Sequence, residues 1–137
     1  MGILNIFGKK DSAKGITEGP PYSVSTELIP YRLYAKKASS ATLNIKVKNL
    51  TKDILLTSVV AESAGKVGFD EMVVSKQREI RIGEMQPGEQ KEVSLGIYSS
   101  IGSDAGEYTI ALTTIAHYRD YAHVLNAIKK RVLIELV

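Results

Sequence analysis

Asp104-Ala105-Gly106-Glu107-Tyr108 leads directly into the alternating stretch Thr109-Ile110-Ala111-Leu112-Thr113-Thr114-Ile115. An Asp-x-Gly-x-Tyr sequence at the start of a late strand is typical of a tyrosine corner, in which the Tyr hydroxyl bonds to the backbone just upstream. We therefore expect Tyr108 to be largely buried, with its hydroxyl bonded to a backbone group between residues 101 and 104. Such a corner predicts a sandwich of two β-sheets. Its predicted structural residues are Asp104, Gly106 and Tyr108.

Alternation of apolar and polar residues extends from this stretch in both directions, as expected for strands with one buried face. Residues 43–47 and 93–97 alternate most clearly. Gln86-Pro87-Gly88-Glu89 is a strong turn signal, because Pro87 fixes φ and Gly88 accepts a left-handed backbone. Further strand signals occur at residues 54–61, 80–82 and 132–136. Strands separated by turns about every ten residues predict an all-β antiparallel sandwich of six to eight strands.

One stretch near the end of the sequence allows a helical interpretation. From Tyr121 to Lys130 the apolar residues are spaced in a way that also suits a helix. No other stretch of ten or more residues shows a clear helical period. A helix here would be the one exception to an all-β chain.

Length and composition limit the classes of protein to which this chain can belong. Its 137 residues suit one domain with a core of its own. The absence of Cys excludes disulfides, thiolate metal sites and a Cys nucleophile. With 18 basic and 15 acidic residues the net charge is only +3, and the basic footprint of a nucleic-acid-binding surface is not apparent. We therefore expect no nucleic-acid partner for the folded domain.

The first twenty residues are predicted to form a flexible tail ahead of a β-sandwich domain at residues 21–137. Residues 9–20 are mostly polar and lack an apolar period. The N-terminus lacks the features of a secretory signal, and no apolar run reaches the about 20 residues of a transmembrane helix, so the expected location is cytoplasmic. An alternative stays open: the apolar residues Ile3, Leu4, Ile6 and Phe7, followed by Lys9 and Lys10, could contact a membrane or nucleic acid peripherally.

Three turn motifs occur in an order that is similar to a known class of domains. They are Lys48-Asn49-Leu50-Thr51, Gly83-Glu84-Met85-Gln86-Pro87-Gly88-Glu89 and Gly106-Glu107-Tyr108. In this order the chain resembles the immunoglobulin-like accessory domains of bacteria and archaea, the cell-adhesion-related domains in particular. His117-Tyr118-Arg119-Asp120-Tyr121 adds a second similarity, to arrestin-like sandwiches. Both resemblances imply an immunoglobulin-like β-sandwich that binds a partner, usually a protein, without catalysis.

The densest cluster of polar and aromatic residues lies between the last two strand signals. Large amphipathic side chains in a connection suit an interaction surface, because they bury much area at low entropic cost. The alternative interpretation is a solvated hairpin loop in which Arg119 and Asp120 pair locally. We predict that the cluster lies at one end or edge of the sandwich and contributes to a protein contact, with a homodimer as one form. The predicted surface residues are Tyr118, Arg119, Asp120, Tyr121 and His123.

Catalytic and metal-binding patterns are weak in this sequence. His117, Asp120 and His123 carry suitable metal ligands, but their spacing suits a helix better than a strand. The sequence has no Gly-x-Ser-x-Gly elbow and no glycine-rich phosphate loop. We therefore predict a non-enzymatic protein-interaction or accessory module without a cofactor. A membrane or nucleic-acid adaptor and a His-based metalloprotein are the alternatives.

Overall fold

The structure, a computed structural model, describes residues 19–137, which form eight strands and contain no helix. The strands are β1 (Tyr22–Ile29), β2 (Ser39–Asn49), β3 (Leu55–Ser63), β4 (Val67–Gly68), β5 (Gln77–Met85), β6 (Gln90–Ser99), β7 (Gly106–Tyr118) and β8 (Asp120–Leu136). They form two four-stranded sheets, with the orders β1-β2-β6-β4 and β5-β3-β7-β8. Every pair of neighbouring strands is antiparallel. The predicted immunoglobulin-like antiparallel β-sandwich is confirmed.

The core forms where the apolar faces of the two sheets meet. In β2 the residues Leu43, Ile45 and Val47 are fully buried while their polar neighbours point to solvent, which is the pattern of a strand with one wet face. Ile110 and Leu112 of β7 are equally buried on the opposing sheet. The alternation in the sequence therefore predicts correctly which residues are buried. A shift of register by one residue would expose all of these apolar side chains to water, so the pattern also fixes the register.

The stretch with helical spacing is a strand. Residues 121–130 belong to β8, which pairs with β7 from Gly106↔Leu136 to Tyr118↔Asp120. Helical spacing of a few apolar residues is a weak local preference, and the long backbone ladder with β7 overrides it. The helical interpretation was therefore wrong, and β7 and β8 form one long hairpin.

The tyrosine corner has the predicted hydrogen bond. The Tyr108 hydroxyl donates to the Asp104 carbonyl oxygen at 2.8 Å. The ring is half-buried rather than largely buried, because it packs against the margin of the core near the start of β7. Gly65 lies directly against this ring. Lys66, the next residue, pairs with the Asp104 carboxylate at 3.0 Å.

Asn49 connects two turns through its hydrogen bonds, a role that the sequence did not predict. Its side chain is completely buried, and its Nδ2 donates to the carbonyl oxygens of Asp53 at 2.8 Å and Met85 at 3.0 Å. Its backbone carbonyl accepts the Gly88 N–H at 2.9 Å. Gly88 has φ 77°, the left-handed value expected after Pro87. The turn after β2 and the turn before β6 therefore support each other.

The two sheets are also joined by β1 and by the segment that follows it. Tyr22 of β1 is buried, and its hydroxyl shares a 2.7 Å hydrogen bond with the Thr57 hydroxyl of β3. Burial raises the pKa of Tyr22, and the bond to Thr57 opposes this effect. After β1 the segment Leu33–Ala35 runs parallel to the end of β8, through three backbone bonds with Glu135 and Val137.

Candidate functional site

The structure brings the five predicted surface residues together at the closed end of the β7–β8 hairpin. We call Tyr118, Arg119, Asp120, Tyr121 and His123 the hairpin tip. Tyr118 pairs with Asp120, so Arg119 alone makes the reversal, and its φ is 72°. A residue with a Cβ adopts this left-handed backbone at a cost of about 1 kcal/mol. The tight reversal therefore presents the Arg119 side chain at the outermost point of the hairpin.

One half of the hairpin tip faces solvent. Tyr118 is 50% exposed, and the Arg119 guanidinium lies 5.2 Å from the centre of its ring. The His123 ring meets the Tyr118 ring edge-on, with 6.0 Å between centroids. Tyr118, Arg119 and His123 thus form a continuous exposed aromatic and cationic patch.

The other half of the hairpin tip is anchored on the sheet. Tyr121 is half-buried, and its ring meets the His117 ring edge-on at 4.9 Å between centroids. The Arg81 guanidinium of β5 covers the Tyr121 ring at 4.6 Å from its centre. Tyr121 therefore holds the hairpin in place, unlike the exposed Tyr118.

His117 and Ser58 form a buried pair beneath the hairpin tip. The His117 Nδ1 lies 3.1 Å from the His123 carbonyl oxygen, which can only accept, so Nδ1 carries a proton. In the neutral ring Nε2 then accepts the Ser58 hydroxyl proton over 2.7 Å. This order of groups resembles a serine–histidine dyad, but Ser58 is completely buried and no substrate atom can reach it. The pair fixes the hairpin on β3, and no local sequence signal links these residues.

Asp120 and His123 form an exposed pair on the hairpin tip. The Asp120 carboxylate lies 2.7 Å from the His123 Nδ1 and also accepts the Ala122 N–H at 3.0 Å. The bond from His123 is the main cause that lowers the pKa of the Asp120 carboxyl group. His117 uses both ring nitrogens elsewhere, so the three residues do not converge on one point. Within residues 19–137 no group of three or more His, Asp or Glu residues is arranged to hold a metal ion.

A second surface, which the sequence did not predict, lies on the outer face of the sheet that contains β7 and β8. A shallow depression of about 560 Å³ there is lined by residues of β3, β5, β7 and β8. Its charged lining residues are Lys76, Lys129, Lys130 and Arg131 against Glu62. The run 129–131 is visible in the sequence. Its position on an outer strand could not be foreseen, because it depends on the sheet order.

No family model and no curated protein matches this chain. Among solved structures, it is similar to a mutant form of Salmonella alpha-2-macroglobulin at 18% identity and a TM-score of 0.58, over 85% of this chain but only 7% of that one. It is also similar to a FixG-related protein from Vibrio parahaemolyticus at 12% identity and a TM-score of 0.55, over 85% of this chain and 97% of that one. A PapD-like domain of human CEP192 matches at 11% identity and a TM-score of 0.49, over 100% and 94% of the two chains.

The first two of these similarities agree with the immunoglobulin-like β-sandwich seen here, and at such low identity they concern the fold alone. Residues 19–137 include no helix that is long and apolar enough to cross a membrane.

Proposed function

We propose that this chain is a non-enzymatic protein-interaction module of the cytoplasm that contacts a protein partner, or a second copy of itself, through the hairpin tip. The observation that carries the proposal is the division of the tip into two halves. Tyr118, Arg119 and His123 are exposed together, while Tyr121 and His117 anchor the same hairpin on the sheet. The finer resemblance to cell-adhesion-related domains stays a prediction.

The energetics of docking favour such a divided surface. Association costs free energy when flexible side chains are ordered, about 0.5–1.5 kcal/mol for each one. At the hairpin tip the Arg119 guanidinium already stacks on the Tyr118 ring, and His123 is held by the Asp120 carboxylate. Tyr and Arg are also the residues that most often dominate binding energy at protein contacts. A partner therefore meets a surface that is partly ordered before binding.

The test removes the exposed half while preserving the anchored half. Arg119→Gly suits the left-handed backbone at this position, and Tyr118→Ala removes an exposed ring, so the double variant should remain folded. We expect it to lose the proteins that the parent captures from native extract, or to change from dimer to monomer in analytical ultracentrifugation. A matched control is Tyr34→Ala with Lys37→Ala. It removes another exposed Tyr–cation pair, in which the Lys37 Nζ lies 5.0 Å from the centre of the Tyr34 ring.

A folded double variant with unchanged partners and unchanged oligomeric state would contradict the proposal. Equal losses in the Tyr34 and Lys37 control would show that the contact is not specific to the hairpin tip. The alternative adaptor role of the N-terminus falls on residues outside those that the structure describes. Repeating the capture without residues 1–20 separates that role from the one proposed here.

A further inference from the structure

The outer edge of β8 offers backbone groups to a further strand. Within residues 19–137, β8 is the last strand of its sheet and pairs along one side with β7. At its far end the opposite side is occupied by Leu33–Ala35, where the Leu33 N–H donates to the Glu135 carbonyl at 2.9 Å. Glu135 therefore directs its backbone groups away from β7. This edge therefore already makes backbone hydrogen bonds to a segment other than β7.

The part of this edge before Glu135 is open in the described structure. The register of β8 on β7 is continuous from Asn126 to Leu136. Because the direction of the backbone groups alternates along a strand, every second residue back from Glu135 also points its N–H and C=O away from β7. These residues are Leu133, Arg131, Lys129 and Ala127. An added strand would find a row of donors and acceptors over about seven residues.

The charge on this edge has a single sign. Lys129, Lys130 and Arg131 are consecutive and exposed in the middle of the open part. Lys129 and Arg131 lie opposite Thr113 and Ala111 on the outer face of the sheet, and all three cations line the depression there. β5, the other edge strand of this sheet, mixes both signs. Its charged residues are Arg78, Glu79, Arg81 and Glu84.

A further cation directly precedes the segment Leu33–Ala35 in the chain. Arg32 immediately precedes Leu33, and its guanidinium lies 4.6 Å from the centre of the Tyr31 ring. Its Nε is buried and has no acceptor within residues 19–137. Arg32 therefore adds a positive charge to the chain next to the segment that already contacts β8.

These features favour one kind of occupant. A second copy of β8 pairing antiparallel about Lys130 would bring the three cations of one copy against those of the other, which is unfavourable. A strand with carboxylates would instead neutralise them while its backbone completes the ladder. We propose that the open edge of β8 binds an acidic segment of another protein in extended conformation, which adds to the sheet beside Ala127–Leu133. This surface is separate from the hairpin tip, and the inference shares with the proposed function only the binding of protein.

The test uses a defined peptide in place of an unidentified partner. Acetyl-Glu-Val-Glu-Val-Glu-Val-Glu-amide would set carboxylates on the face of Lys129 and Arg131 and Val side chains on the other face. We expect it to bind, as measured by chemical-shift titration, and to slow the hydrogen exchange of the amides of Ala127, Lys129 and Arg131. The same peptide with its glutamates replaced by lysines should not bind. N-methylation of alternate peptide bonds should abolish binding, because it removes the donors of the added strand.

Two pairs of variants separate a built site from general charge attraction. Lys129→Glu with Arg131→Glu should weaken binding by at least about tenfold. Lys46→Glu with Lys48→Glu, the same change in charge on the central strand β2, should weaken it by less than about twofold. Should the first variant unfold, Lys129→Gln with Arg131→Gln replaces it, and thermal unfolding checks each protein.

The proposal would be overturned by any of three results. One is that the peptide does not bind the parent protein, in which case the cations only prevent the edge of β8 from pairing with other strands. Another is equal weakening by both charge-reversal variants, and the third is binding that N-methylation leaves unchanged. The Tyr118→Ala and Arg119→Gly variant should still bind the peptide, so failure at the edge and failure at the hairpin tip are distinguishable.

Discussion

Gly65 is present at its position because the tyrosine corner leaves no room for a side chain. A Cβ built on Gly65 would overlap the Tyr108 ring at Cδ1. We therefore expect Gly65→Ala to displace the ring, strain its bond to the Asp104 carbonyl and cost about 1–3 kcal/mol of unfolding free energy in urea titrations. Gly102→Ala is the control, since a Cβ there is no closer than 3.8 Å to other atoms. Equal stability of the two variants would contradict the close packing of Gly65.

The Asp120 carboxyl group should titrate below its ordinary value of 3.8, because His123 and the Ala122 N–H both donate to it. A pKa lowered in the folded state adds stability above the unfolded value, and this stability is lost as pH falls through the folded value. In His123→Ala we expect the pKa of Asp120, followed by carboxyl carbon NMR, to rise partway toward its ordinary value. The pKa of Asp104, which Lys66 lowers, should not move in this variant.

At the scale of elements, the β7–β8 hairpin depends on its anchored half. Tyr121→Ala would remove the ring between His117 and Arg81, and we expect it to cost about 1–3 kcal/mol in thermal or urea unfolding. Tyr118→Ala removes a ring of the same size from the exposed half and should change stability by less than about 0.5 kcal/mol. A larger loss at Tyr118 than at Tyr121 would reverse the assignment of the two halves.

Local sequence patterns were sufficient to predict the turns, but they could not predict how distant strands pair. Pro87 and Gly88 were predictable because their own backbone preferences define the turn. Ser58 and His117 are 59 positions apart, and their contact depends on how β3 registers against β7. A bulge after Thr57 in the pairing of β3 with β5 adds to this dependence. Tyr121 and His117 could be named from the sequence, but the contacts by which they anchor the hairpin could not be predicted from it.

At the scale of the whole molecule, we expect truncation from the N-terminus to lower stability only when it removes Tyr22. A chain beginning at Pro20 should keep the melting temperature of the parent, because residues 9–19 lack an apolar period and β1 is intact. A chain beginning at Ser23 loses the buried Tyr22 and its bond to Thr57, so its melting temperature should fall by at least about 10 °C. A large fall already at Pro20 would show that the earlier residues stabilise the fold.

The parallel contact of Leu33–Ala35 with the end of β8 has a mechanical consequence. If the molecule is pulled by its two ends, the segment and the strand are drawn in opposite directions along their common axis. The three backbone bonds, of 2.9, 2.8 and 3.0 Å, then carry the load together instead of opening one after another. Because the segment also lies between β1 and β2 in the chain, its resistance would protect both sheets from being peeled apart. We expect the module to withstand tension better along this direction than when it is pulled from the turn of the β7–β8 hairpin.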